Sequence, residues 1–545
     1  INALSIQLLS KMKAQTSRPS VGKRIILAPL TNRPQLINKL PNQTKPASAN
    51  INCLALKDIS LELPSRYVAP HGRTRSTIVD EKSIKFEEKG STLQKMGYYS
   101  HALNCFEKAI RVDPKSSSAH RSRGLMLYKF GRLREALNSF DQAIELDNTD
   151  AVALCRKGLV LSRIGDHQSS LLCFDQTLLL DPEYSLAYRE KGKALLNLER
   201  PHSSLCCFET ALELNPRDAE AFYGKGLAHQ KSGYYDLALH CYQEAIEIDN
   251  RHAKAYQAKG ICLSALGENF RALEWYDKAI RLDPADFEPY YFKGISLNKM
   301  GKYPEALKYY DEALLRNSCS LEILIDKGIT YFELEKYNAA LSCYARVEKL
   351  DANNWKSHVE KGHVFMKQSL YQEAVQSFSI ASKLNPKSTA ICHHKGRAYL
   401  CLCNYKKTIE CCDAAIRLEM MFLPAYYTKG LALSLMKKFD QALRCFDKII
   451  NWDPKQPLAY FKKGSVLLRI ADYEKALSCF EKALELSPCE GEFHQARGVA
   501  LWRMRRNQKA SDAFSRAIQM DSTLSKAKML LDDVQLKMMK TVKKI

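Results

Sequence analysis

Apolar residues along most of this chain recur at the spacing of one helix face, break, and then recur again. The stretch Ala253–Asp286, AKAYQAKGICLSALGENFRALEWYDKAIRLDPAD, shows the unit. Tyr256, Gly260, Leu263 and Leu266 share one face of a first helix. Gly267 then marks a tight turn. Ala272, Tyr276, Ala279 and Ile280 line one face of a second helix. Asp283-Pro284 ends it, because proline has no N–H to donate and biases its predecessor away from helix. The pattern returns every 34 residues without insertion, marked by thirteen glycines from Gly90 to Gly498. A fixed period of this length predicts stacked helical hairpins rather than one globular core. Glycine and alanine at the crossing let the two helices approach closely, and each hairpin leaves an apolar face for its neighbour to cover.

With the recurring glycine counted as position 8, further positions are constrained. Position 20 is alanine in ten of thirteen repeats, the exceptions being Ser170, Ser204 and Thr408. Position 24 is Phe or Tyr from Phe106 to Phe514, with Cys412 the one departure. Position 27 is alanine in ten, and Pro or Asn fills position 32 in nine. On these residues the chain resembles the tetratricopeptide-repeat family over about four-fifths of its length. The resemblance implies an all-α, right-handed α-α superhelix over residues 83–524.

Flanking segments differ. Residues 1–82 hold thirteen Lys/Arg against four Asp/Glu, a net of +9, with no sustained periodicity. Clusters of Ser, Asn, Pro and Thr such as Pro41–Asn50 predict a basic, mostly disordered N-terminal arm. Ile1 at the first position reads as a start that is missing or processed. Ile1–Gln15 is basic, weakly amphipathic and free of acids, the character of a loosely helical tail or of a targeting presequence. Residues 525–545 place Met529, Leu530, Val534, Leu536 and Met538 on a stripe opposite lysines, which predicts a C-terminal capping helix. Its lysines also suit an anionic surface. No apolar run approaches the ~18 residues of a membrane span, and a soluble chain is expected.

Net charge is +22, of which the arm supplies +9 and the terminal segment +4. The remainder is spread over thirteen repeats, so no specific nucleic-acid footprint is expected. Position 7 is basic in every repeat, from Lys89 to Arg497. Its stems are expected to pack between repeats while the charges reach acids near helix ends, such as Asp249 or Asp283. A ladder for a polyanion is the alternative.

Eight of eighteen cysteines fall at position 23, which marks a small packing residue. So many free thiols imply a reducing compartment and a cytoplasmic location, with nucleus or cilium open. Repeat 10 concentrates Cys392, His393, His394, Cys401, Cys403, Cys411 and Cys412 but lacks the C-x2-C spacing of a zinc knuckle. It is read as packing, with no metal and no cofactor. It also lacks the position-20 alanine, the position-24 aromatic, the turn glycine and the terminal proline, and is expected to be the softest repeat.

The resemblance places partner binding on the face lined by positions 2, 5, 9, 12 and 13 of the first helix. At position 5 stand Arg121, Arg189, Tyr223, Tyr291, His393, Tyr427 and Phe461, residue types favoured as interface anchors. Position 9 is mainly apolar. A groove for an extended or helical segment of a protein partner is expected. No repeat has Asn at position 6 or 9. The family's co-chaperone carboxylate clamp and the asparagine ladder of O-GlcNAc transferase are therefore not expected. Gly224-Lys225-Gly226 has no P-loop continuation, and no nucleophile–base–orienter set stands out. The expectation is a non-catalytic scaffold or adaptor within a multiprotein assembly, similar to subunits of ciliary transport or cell-cycle ligase complexes. The regulatory arm of an enzyme and a polyanion or membrane-surface binder are the alternatives.

Overall fold

The computed structural model describes residues 76–542. Every regular element in that range is a helix. Twenty-seven helices form thirteen consecutive pairs, each a helix A followed by a helix B, and a last single helix, Ser525–Val542. Helix A of repeat 1 begins at Ser76, ahead of the expected repeat start at Ser83, because no Gly or Pro interrupts residues 76–82. The rest of the expected arm, including the Ile1–Gln15 stretch, lies outside the described residues. No described helix is long and apolar enough to cross a membrane. The chain divides into two compact units, one ending at Ser232 and one beginning at Gly233.

Within a repeat, the position-24 ring closes the angle between the helices. Twelve such rings, from Phe106 to Phe514, are fully buried. Eleven of them seat on the position-8 glycine of their own repeat. A Cβ on Gly260 would lie 2.6 Å from Cε1 of Tyr276, so only hydrogen fits there. The position-23 cysteines are mostly buried too, as expected of packing residues, and all described cysteines are free thiols. Burial pushes the Cys207 thiol up to about 11, which makes it a poor nucleophile.

The A-to-B turn puts position 15 in the left-handed region. Gly267 takes it at φ 90° without strain. From repeat 8 onward no glycine is present, and Glu335, Ser369, Cys403, Lys437, Ala471 and Arg505 adopt positive φ instead.

The basic row at position 7 finds different partners from those expected. Asp249 and Asp283 are not its acids. Most of these cations reach position 25, mid-way along helix B of the preceding repeat. Lys157 pairs with Asp141 at 2.7 Å, Lys191 with Asp175 at 2.6 Å, Lys293 with Asp277 at 2.5 Å and Lys463 with Asp447 at 2.6 Å. Lys327 pairs with Asp311 in the same way. Position 25 faces the next repeat's helix A, whereas the helix ends lie beyond the reach of a position-7 stem. Where position 25 is Ala345, Lys361 turns to Glu348. These ammonium groups are half-buried and already neutralised, which leaves little of the ladder for a polyanion.

The final helix lays Ala527, Leu530, Val534 and Met538 against repeat 13, while Lys526, Lys528 and Asp532 face outward. Two members of the expected apolar stripe, Met529 and Leu536, lie exposed on the outer side instead, because the face that meets repeat 13 runs through Ala527, Leu531 and Val534.

Candidate functional site

Helix A carries the variable surface. Its first turn is fixed by an N-cap that also ends the preceding repeat, at position 34. Asp150 caps helix A of repeat 3 (Ala151–Ile164) by accepting from the Ala153 N–H. Asp218 does the same for Ala221 in repeat 5.

These caps decide the fate of position 5. Arg121 donates from Nη1 to Oδ2 of Asp150 at 2.6 Å, and Arg189 to Oδ2 of Asp218 at 2.8 Å. Asp218, with Glu190 beside it, helps hold the Arg189 charge in place despite burial. His393 makes an edge-to-face contact with Phe422, again position 5 against position 34. Its Nε2 lies 3.0 Å from Oγ1 of Thr428. Burial, reinforced by His394 and Arg397, pushes this imidazole down to about 3, so it is neutral at ordinary pH. Phe461 is buried between Phe493, stacked at 4.6 Å, and Phe480 at 5.9 Å. Position 5 is thus partly a joint between repeats, and Arg121, Arg189, His393 and Phe461 are committed to it.

The tyrosines are half-buried. Tyr291 donates its hydroxyl to Oδ2 of Asp326 at 2.7 Å. Burial, then the Asp326 charge, holds the phenol proton on. Burial likewise raises the Asp326 carboxyl, against the lowering effect of the tyrosine bond. Tyr427 packs edge-to-face on Phe446, and burial raises its phenol too. Tyr223 is half-buried in repeat 5.

Two features of this face were missed by sequence reasoning. One is the pairing of positions 5 and 34, legible as Arg121 with Asp150 and Arg189 with Asp218 at equal spacing. The other is position 13, basic in eight repeats. Lys231 donates to the Leu196 carbonyl at 2.9 Å, and Arg469 to the Ser434 carbonyl at 3.1 Å. Lys299 reaches Oγ of Ser264 at 3.1 Å. Each ties off the C-terminal end of the preceding helix A, where unpaired carbonyls and the macrodipole favour a cation.

What remains open is a stripe of positions 2, 6, 9 and 13. Its centre is apolar and half-buried at Leu125, Leu159, Leu227, Ile261, Ile295, Ile329, Leu431 and Val499. Charges change around it from repeat to repeat. Among the described residues no three potential metal ligands converge. In repeat 10 Cys412 is fully buried and His394 stacks on Phe378, whereas Cys403 is exposed at the turn.

Tetratricopeptide-repeat models match residues 88–151, 189–233 and 325–389, residues 219–252 and 457–488, and residues 253–286 and 423–456. No curated protein matches in sequence. Among solved structures, yeast Tom70 is 17% identical at TM-score 0.39, covering 82% of this chain and 99% of its own. The Cut9–Hcn1 hetero-tetramer of the APC/C is 13% identical at TM-score 0.41, covering 85% and 96%. YrrB, described as a TPR protein with an unusual peptide-binding site, is 28% identical at TM-score 0.29, covering 34% and 95%. With the helical pairs, the buried ring on its glycine and family-model matches over more than half of its residues together, the chain belongs to the tetratricopeptide-repeat family.

Proposed function

We propose that this chain is a non-catalytic protein-interaction scaffold whose helix-A face holds an extended or helical segment of a partner protein. One observation carries the reading. Position 9 stays apolar in most repeats yet is half-exposed, although the repeats need no further apolar cover there. Its neighbours at positions 2, 6 and 13 vary in charge, which suits selection among partners. Tyr223, Tyr291 and Tyr427 flank the apolar line as partner contacts. Arg121, Arg189, His393 and Phe461 shape the joints beneath it. The many free thiols fit a reducing compartment such as the cytoplasm.

The test compares tagged wild-type chain with an Ile295→Lys/Ile329→Lys variant, after circular dichroism has established equal thermal stability. Cross-linking in lysate followed by peptide mapping should place partner cross-links on helix A of repeats 7 and 8 (Glu288–Lys299 and Leu321–Glu333) in the wild type alone. Cross-links confined to the termini would instead favour a polyanion or membrane-surface role.

A further inference from the structure

In repeats 2 and 3 the open stripe carries three cations close together. In repeat 3 it reads Val152, Arg156, Leu159, Arg163, and in repeat 2 Ser118, Ser122, Leu125, Lys129. Those spacings, i, i+4, i+7 and i+11, put the four residues of each helix on one face. Lys129 and Arg163 are exposed, and Arg156 is half-buried. None of the three has an ion pair to a described residue. In several other repeats the comparable charges are spent. Position-7 lysines meet carboxylates, and the position-13 cations of repeats 5, 7 and 12 meet carbonyl or hydroxyl oxygens of the preceding repeat.

In repeats 2 and 3 the position-13 cation instead rests on a ring of the repeat before it. Lys129 Nζ lies 4.2 Å from the Tyr99 centroid, and the Arg163 guanidinium 5.1 Å from that of Tyr128. A ring orders the stem and offers its face without neutralising the charge, so the donors stay available on the outer side. The same stripe in repeat 8 reads Glu322, Asp326, Ile329, Glu333, three acids and no cation. The stripe therefore carries charge selectively.

We propose that repeats 2 and 3 bind an acidic peptide segment that alternates carboxylate and apolar side chains. Its carboxylates meet Lys129, Arg156 and Arg163, and its apolar residues cover Leu125, Leu159 and Val152. Arginine offers a carboxylate two parallel donors, which favours Arg156 and Arg163 as the anchors. A nucleic-acid backbone fits less well. The cationic stretch is flanked by Glu88 in repeat 1 and Glu190 in repeat 4 on the same stripe, and its centre is aliphatic rather than aromatic. This assignment rests on the scaffold reading above and names the partner chemistry for one part of it.

The probe is a dye-labelled peptide alternating Glu and Leu, followed by fluorescence anisotropy with the full chain. A Gln/Leu peptide and an oligothymidylate of equal charge are the controls. Saturable binding of the Glu/Leu peptide is expected, weakened at least about tenfold in Lys129→Gln/Arg156→Gln/Arg163→Gln. Two of the sites are exposed, the third is half-buried, and Gln is helix-compatible, so the variant should stay folded, which its melting curve checks. No binding, equal binding of the Gln/Leu peptide, unchanged affinity in the triple variant, or tighter binding of the oligothymidylate would each overturn the assignment. Partner cross-links retained at repeats 7 and 8 under any of those results would leave the scaffold reading standing.

Discussion

Repeats 6 and 10 have helices of the same lengths and pack A against B in the same register, yet their interiors are built differently. In repeat 6 the Tyr276 ring fills the angle and lies against Gly260. In repeat 10 the ring is replaced by Cys412, and the nearest atoms to a Cβ on Gly396 are Cys411 Cβ at 3.3 Å and Cys412 Sγ at 3.4 Å. The aromatic content has moved to helix A and its neighbours. His394 stacks on Phe378 and meets His363 at 4.5 Å, while His393 meets Phe422. Opposite Lys395, position 25 is Ser379 rather than an acid. One architecture is thus held by apolar rings in repeat 6 and by neutral imidazoles in repeat 10.

The largest expected effect comes from acid. Burial pushes His394 down to about 4 and His393 to about 3, and lowers His363 well below its ordinary value of 6.5. As pH falls through 6.5 the unfolded chain takes up protons first, so stability is lost from there down towards the folded values. Hydrogen-exchange protection factors, corrected for the intrinsic rate at each pH, should fall between pH 7 and about pH 5 in repeats 9–11 far more than in repeat 6. Uniform change along the array would remove the distinction, and His394→Phe should blunt it.

A steric test comes next. Gly260→Ala drives a Cβ into the Tyr276 ring and is expected to cost about 1–3 kcal/mol in chemical denaturation. Gly396→Ala should stay within about 1 kcal/mol of the wild type, because only thiol and Cβ atoms need shift and alanine is the better helix former. Equal losses at both sites would mean that repeat 10 is packed as tightly as repeat 6.

The smallest effect concerns the turns. Cys403→Gly should stabilise repeat 10 by roughly 0.5–1 kcal/mol by relieving a positive φ, and Gly267→Ala should destabilise repeat 6 by about as much. Thermal melts of the two variants check the opposite signs.

Much of the fold was legible because each repeat repeats its own constraints: period, ring, small residue at the crossing and turn. Repeat 10 was legible as a departure, since Thr408, Cys412 and Cys403 break the pattern together. What replaced the lost ring was not legible, because His363 and His394 lie on different repeats and meet only when the array is stacked. The candidate binding face was half legible. Position 9 reads correctly as a half-exposed apolar line, whereas position 5 divides between tyrosines along the face and side chains such as Arg121 that answer a cap in the next repeat. Single-repeat reasoning does not see a partner that lies one cap further on. The same limit put the position-7 acids at helix ends instead of at Asp141 and Asp277.

The backward reach of each position-7 lysine has a consequence for how such a chain can change its length. Most joints are one-way handshakes between a position-7 cation and the residue 16 places before it, as with Lys191 and Asp175, and no such joint depends on how many others exist. Excising repeat 3 in register would set Lys191 against Asp141 and recreate the same contact. Insertion or loss of whole units is therefore nearly silent at the seam, while a cut of any other length leaves a lysine facing the wrong side of a helix.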